Sequence, residues 1–471
     1  MDLVQAIQFH GYWQPDAPAL YFPDHQESAM NYGELVRCVA NVNRRLLGQG
    51  IEPGSLVAIN VVDDLLHAVL LIACARMGVA TVSGEPVLIS SQLAVSASLR
   101  DKAVSDTGLP FVLVGRDWLA RSVEVADTLD LPWPRHLDLC RVMLTSGSTA
   151  TPKPVVLTYG MVAERLRSYN YAFGGDFPKA SRLLCGMRLS SSLGFTFLFY
   201  ILQRGGFYCS DSREMSRMES AIKGHEIEAI VTTPYTLAEF VKHARNQPLQ
   251  FAKLKLGLTA GSLITSSLVR QVREALCDKL VVFYGATETG VIASTSREGV
   301  AGDVGLPVPG TRVKIISPEG ASLVPGQSGL IRIQAVSGPL PFFTASQWKE
   351  KKPPNDWYEP GDMGKFDDRG HLLVEGRADN LLNVGGTKVA PEVLEQSLAK
   401  GPGIRDCAVY SERDEEGIDR IVAVIAVDSS WKSQPFLTYC EAHIAADLLP
   451  SKFVAVANIP RTPNDKIARG A

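Results

Sequence analysis

Apolar runs of single-strand length alternate with segments of helical period from residue 32 to residue 284. This alternation constrains the fold more than any other feature. Strand-length runs stand at 56–62, 111–114, 142–144, 230–233 and 280–284. Around them, residues 32–47, 65–77, 161–173, 235–245 and 266–276 carry apolar side chains at helical spacing. Strands that alternate with helices close as crossovers on parallel sheets. From about Gly302 the texture changes. Short strand-like pieces at 311–316, 329–334 and 372–375 lie between Gly, Pro and Asp turns, the pattern of a small barrel or distorted sheet. Asp367-Asp-Arg-Gly370 has the chemistry of a hairpin turn, and 339–358 reads as an irregular connection. After Gly376 a helix at 391–400, a strand at 421–427 and a helix at 436–448 form a separate small α+β unit.

Composition removes several functional classes. A chain of 471 residues, 46% hydrophobic and 21% charged, buries a large core and is not disordered as a whole. A net charge of −3 lacks the basic excess of a polyanion binder, so no nucleic-acid partner is expected. None of the 8 cysteines forms a CxxC pair, which points to small buried residues in a reducing compartment. The longest apolar stretches, 65–75 and 193–202, fall far short of the roughly 20 residues that span a bilayer. The N-terminus carries Asp2 and early prolines and does not read as a signal peptide. The expectation is a cytoplasmic protein with no integral membrane segment.

Four segments carry chemistry. Thr145-Ser-Gly-Ser-Thr-Ala-Thr-Pro-Lys-Pro154 follows a strand and offers hydroxyls, backbone N–H groups and a lysine, the donors that phosphate oxygens accept from. It is not a Walker loop, and a solvated hydroxyl-rich turn has the same composition. Tyr284-Gly-Ala-Thr-Glu288 places an aromatic and a carboxylate directly after a strand, suiting a base and a magnesium ion, or simply a turn. Tyr358-Glu-Pro-Gly-Asp362 presents an acid able to accept from ribose hydroxyls. Pro460-Arg-Thr-Pro-Asn-Asp-Lys466 holds a lysine in a proline-bounded loop.

In this order, the segments resemble those of the adenylate-forming (AMP-binding) enzymes: acyl- and aryl-CoA synthetases, adenylation domains of peptide synthetases, and firefly luciferase. The resemblance runs from about residue 10 to Arg469. The family patterns TSGSTGxPKG, YGxTE, YxTGD, GRxDxxxxxxG and PxTxxGK fall at 145–154, 284–288, 358–362, 376–386 and 460–466. Pro360 stands for the family threonine, and Asp465 for a glycine. Ala150 and Pro154 replace glycines of the phosphate loop, which stiffens it and removes one N–H.

The resemblance implies an α/β fold. A large N-terminal domain over residues 1–376 would combine parallel sheets flanked by helices with a small distorted β-barrel. A small mobile α+β domain over 377–471 would follow. It also implies ATP-dependent conversion of a carboxylic acid to an acyl-adenylate, then transfer to a pantetheine thiol with release of AMP. Thr145, Ser146, Gly147, Ser148, Thr149 and Lys153 would hold the phosphates. Glu288, with Thr149, would hold Mg²⁺. Tyr284 would stack on adenine, with Gly285, Ala286, Thr287 and, opposite, Gly261 around it. Asp362 and Arg377 would bind the ribose. Lys466, Glu288 and Thr149 would be the catalytic group. Asp379 would be the hinge, and Gly385 and Gly386 would pass the pantetheine arm.

No Asp or Glu stands between Lys179 and Cys209, where family members that select amino acids keep one. A free amino acid is therefore disfavoured, and the segments that line the acid pocket in that family, here 186–198, 232–235 and 258–262, read apolar, so the acid is expected to be fatty, branched or aromatic. The ligands are ATP, Mg²⁺ and CoA, or the phosphopantetheine of a separate acyl carrier protein. Two other readings are a carrier-protein ligase of a biosynthetic cluster and a nucleotide-binding protein without turnover. A hydrolase is disfavoured because no GxSxG elbow is present.

Overall fold

The computed structural model describes residues 3–84, 89, 93–102, 110–120, 131–145, 153–177, 181–212, 214–246, 254–297, 302–335, 357–378, 382–384, 387–389, 391–413, 419–445, 448–461 and 467. The first of two large sheets has six strands in the order Phe111–Leu113, Ala97–Arg100, Leu56–Asn60, Ala80–Ser83, Leu139–Thr145, Lys153–Thr158. Its pairs are parallel except the last, which puts Thr145 opposite Lys153. The strands on either side of the 145–154 motif thus form an antiparallel pair at the end of a parallel sheet.

The second sheet has 13 strands. Its parallel part runs Pro18–Tyr21, Phe207–Ser210, Arg182–Cys185, Ala229–Thr232, Leu254–Thr259, Cys277–Ala286. Beyond Cys277–Ala286 the pairing turns antiparallel through Gly290–Thr295, Asp303–Pro307, Leu372–Arg377, Asp362–Phe366, Gly329–Gln334 and Arg312–Ile316. The short strands expected after Gly302 to form a small barrel or distorted sheet are thus antiparallel strands that grow out of the edge of the parallel ones, beginning at Gly290–Thr295. The turn expected at 367–370 is present: Asp367 Oδ1 accepts from the Arg369 and His371 amides, and Gly370 adopts φ 80°.

The C-terminal unit pairs Ile404–Arg413 with Asp419–Val427 antiparallel and adds Lys452–Val456 in parallel, under the helices Pro391–Leu398 and Ser433–His443. The last helix spans Ser433–His443, starting before and ending short of the expected 436–448. The helix Gln5–Trp13 was not read from the sequence.

Local chemistry sets the helix starts. Asp63, Thr158, Ser191 and Thr265 each accept from an amide of the first turn, satisfying a donor that the helix itself leaves open. The Asp64–Met77 helix is buried on all sides from Leu65 onward, which explains its nearly continuous apolar run. The Ser192–Leu202 helix is buried from Gly194 onward and packs Phe197 against Phe173 with ring centroids 5.8 Å apart. All eight cysteines are buried and none is in a disulfide. Among the described residues, no helix is long and apolar enough to cross a membrane.

The core also contains charge. Arg141 is fully buried on the Leu139–Thr145 strand. Its guanidinium donates to Thr81 Oγ1 and Ser83 Oγ at 3.0 Å each and to the Leu189 carbonyl at 3.3 Å. Ser83 Oγ in turn contacts His67 Nε2 at 3.0 Å. Burial, reinforced by Arg141, holds the His67 pKa down at about 3, from 6.5. The unfolded chain takes up this proton near pH 6.5 and the folded chain does not until about pH 3. Stability therefore falls as pH drops through that window, by up to about 1.4 kcal/mol per unit. His67→Gln, which keeps a hydrogen-bonding group, is expected to flatten this acid limb by about one proton in urea denaturation between pH 4 and 7. An unchanged slope would contradict the assignment.

Candidate active site

Two short motifs meet where the second sheet changes from parallel to antiparallel. Cys277–Ala286 delivers Tyr284, Gly285 and Ala286, and the turn to Gly290–Thr295 carries Thr287 and Glu288. A side chain at Gly285 would lie 2.5 Å from the Gly290 carbonyl oxygen, so the tight hairpin requires glycine there. On the neighbouring antiparallel strands, Asp362 and Arg377 are direct partners in register.

The side chains cross between the motifs. The Tyr284 hydroxyl donates to Asp362 Oδ2, and the Tyr358 hydroxyl bonds the Glu288 carboxylate. Each tyrosine precedes the acid of its own motif by four residues and serves the acid of the other. Arg377 Nη1 lies 3.5 Å from Asp362 Oδ1 and also donates to the Pro360 carbonyl. Gly361 adopts φ 82°, and a Cβ there would stand 3.0 Å from the Arg377 guanidinium. Burial, then Asp362, pushes the Tyr284 pKa well above its usual value, and burial, then Glu288, does the same for Tyr358. Both hydroxyls remain proton donors at neutral pH.

Gly261 follows the Leu254–Thr259 strand with φ 98° and is exposed, while Ala260 beside it is buried. Thr145 and Lys153 are joined through their backbones in the hairpin of the first sheet. Ser146, Gly147, Ser148, Thr149, Asp379, Gly385, Gly386 and Lys466 lie outside the described residues. Arg461, at the near end of the segment that leads to Lys466, places its guanidinium 4.4 Å from the Tyr235 ring centroid. That contact joins the C-terminal unit to the start of the Pro234–Asn246 helix.

Of the groups expected together, Tyr284, Glu288, Asp362 and Arg377 therefore form one linked cluster. Two members were missed in the sequence. Tyr358 was quoted only as part of a motif. Arg165, on the Tyr159–Phe173 helix, donates from Nη2 to the Thr287 carbonyl at 2.5 Å. Arg165 stands on the buried stripe Val162, Leu166, Tyr169, Phe173, where its charge alone does not set it apart from an arginine that reaches solvent. The donors suit a nucleotide with its magnesium. The Glu288 carboxylate, bonded by a neutral hydroxyl, has the hard oxygens that magnesium takes, and Asp362 faces a fork of hydrogen-bond donors.

The AMP-binding enzyme family profile matches residues 9–338, and the AMP-binding enzyme C-terminal domain profile matches residues 393–466. A 4-chlorobenzoate–CoA ligase of Arthrobacter sp. is 24% identical over 99% of this chain and 93% of its own. A feruloyl-CoA synthase of Amycolatopsis sp. is 26% identical over 95% and 94%. Among solved structures, an anthranilate CoA ligase in complex with anthranoyl-AMP superposes with a TM-score of 0.85 at 20% identity, covering 99% of this chain and 95% of that one. The o-succinylbenzoate CoA synthetase of Bacillus subtilis, in complex with ATP and magnesium, gives 0.82 at 20% identity, with 98% of each chain covered. These superpositions share the present fold.

Tyr284→Phe and Tyr358→Phe each leave a carboxylate one donor short. Each is expected to lower unfolding free energy by about 1–3 kcal/mol in chemical denaturation. Losses near zero for both would mean that the crossed bonds hold nothing together.

Proposed function

We propose that this chain, which belongs to the AMP-binding enzyme family, is an AMP-forming acid–thiol ligase of the acyl-CoA synthetase kind. It activates a carboxylic acid with ATP and passes the acyl group to CoA. The observation that carries this reading is the linked cluster of Glu288, Tyr358, Tyr284, Asp362 and Arg377. It supplies a metal carboxylate, an aromatic wall and a ribose acceptor within one site.

A carboxylate is a weak electrophile because its oxygen is a poor leaving group. In the first step its oxygen attacks the α-phosphorus of ATP and the bond to pyrophosphate breaks. In the second, the thiolate attacks the acyl carbon and the C–O bond to AMP breaks. Both steps depend on positioning and charge neutralisation more than on covalent help from the protein. Asp362, oriented by Arg377 and Tyr284, accepts the ribose hydroxyls. Tyr284 walls the base, with Gly285, Ala286, Thr287 and Gly261 around it. Thr145, Ser146, Gly147, Ser148 and Lys153 donate to phosphate oxygens. Lys466 neutralises the carboxylate and α-phosphate oxygens during adenylation. Glu288 and Thr149 would hold Mg²⁺, which would supply charge neutralisation to the triphosphate.

We take residues 1–376 as the unit that binds ATP and acid. Residues 377–471 form the unit that carries Lys466, turns about Asp379, and presents Gly385 and Gly386 to the pantetheine arm. The acid is fatty, branched or aromatic. The benzoate and ferulate names of the relatives favour an aromatic one. The acceptor is CoA, and a separate acyl carrier protein is the alternative. A cytoplasmic location belongs to the same reading, since ATP and CoA are available there.

Acid-dependent ATP–pyrophosphate exchange tests the assignment. Aromatic acids are expected to support exchange, and none across an aliphatic and aromatic panel would sink the ligase reading. Lys466→Ala is expected to lower adenylation by about 10²–10³-fold and to spare thioester formation from a synthetic acyl-adenylate. Equal loss of both steps would remove the rotating-domain role of this lysine.

A further inference from the structure

The Tyr159–Phe173 helix buries Val162, Leu166, Tyr169 and Phe173, and among them the whole side chain of Arg165, which is 1% exposed. An apolar residue would fill such a position without the several kcal/mol that burying a cation costs. Among the described residues, no carboxylate forms an ion pair with Arg165. Its partners are neutral and come from two different parts of the site. Nη1 donates to Ser192 Oγ at 3.0 Å, and Nη2 donates to the Thr287 carbonyl at 2.5 Å. Nε is buried and has no partner. Burial lowers the Arg165 pKa to about 10, against a pull upward from Tyr169 and Glu288, so the cation persists at neutral pH. Space is made for it: a Cβ at Gly290, which adopts φ 75°, would stand 3.2 Å from Arg165 Cγ.

Thr287 is the residue next to Glu288, and Ser192 is the first residue of the Ser192–Leu202 helix. One planar guanidinium therefore spans the turn that carries Glu288 and the start of the Ser192–Leu202 helix, which runs through the 186–198 stretch implied by the family resemblance to line the acid pocket. A fork of fixed geometry can set the spacing of two elements; a single ammonium cannot. We propose that Arg165 is a positioning residue for the adenylation half-reaction, one that fixes the Glu288 turn against the acid-binding helix. This rests on the ligase reading above. Its consequence is a separable effect. Losing the fork should disturb metal-dependent nucleotide binding and acid activation together, and should leave acyl transfer from a preformed adenylate nearly intact.

Arg165→Lys and Ser192→Ala test this in the full chain. Arg165→Lys should raise the Mg²⁺ concentration at half-maximal ATP binding, read by calorimetry, by about tenfold and lower acid-dependent exchange by about 100-fold. Thioester formation from synthetic adenylate should stay within about threefold of the parent. Ser192→Ala cuts only the arm toward the acid segment. It should raise the acid KM by about tenfold with an unchanged Mg²⁺ dependence of ATP binding. A folded Arg165→Lys protein with the parent's Mg²⁺ dependence and exchange rate would reduce Arg165 to a packing residue. So would equal losses in adenylation and transfer. If Arg165→Lys does not fold, an unchanged acid KM in Ser192→Ala overturns the proposal by itself. If the parent protein shows no exchange with any acid, the ligase reading fails, and the calorimetric Mg²⁺ dependence of Arg165→Lys still decides the role of Arg165.

Discussion

Two tyrosine hydroxyls cross between two carboxylates at the centre of the candidate site. Tyr284 and Asp362 lie 78 residues apart in the chain, and their bond closes the strands on which both motifs ride. The return bond from Tyr358 to Glu288 makes the closure reciprocal. Arg377 then lies opposite Asp362 by strand register alone, with no further device needed to bring it there. The rest follows from the sheet. Its change from parallel to antiparallel pairing at Cys277–Ala286 puts a tight hairpin where a ligand must approach, at the carboxyl end of the parallel strands.

The second theme is charge without a basic surface. The chain has a net charge of −3, and its critical cations are local. Arg141 and Arg165 are fully buried and bonded to hydroxyls and carbonyls. Both touch the segment between Leu189 and Ser192, one through the Leu189 carbonyl and one through the Ser192 hydroxyl. That segment contains no acid of its own. The two guanidiniums are met there by a carbonyl and a hydroxyl, and the carboxylate acting on Arg165 is Glu288, from the neighbouring hairpin.

Much of this was legible in the sequence. The strand and helix periods located the parallel strands, because a strand buried on both faces leaves an apolar run with little ambiguity. Tyr284, Glu288, Asp362 and Arg377 were legible as a set only through the resemblance; each motif alone reads as a turn. Register explains why they meet, and register cannot be read from one chain. Arg165 was not legible. An arginine beside an apolar stripe usually extends to solvent, and nothing local distinguishes the one whose guanidinium stays inside. The strand Ile404–Arg413 was missed because its charged residues dilute the apolar pattern, although Cys407 and Val409 are buried.

The eight buried thiols have a consequence of their own. Burial raises the pKa of Cys74 and Cys185 to about 12, and that of Cys209 well above the usual thiol range, so these three supply almost no thiolate in the folded protein. Oxidants and alkylating agents must then wait for the chain to open. Their rate of attack on these cysteines becomes a clock for local opening of the chain around them.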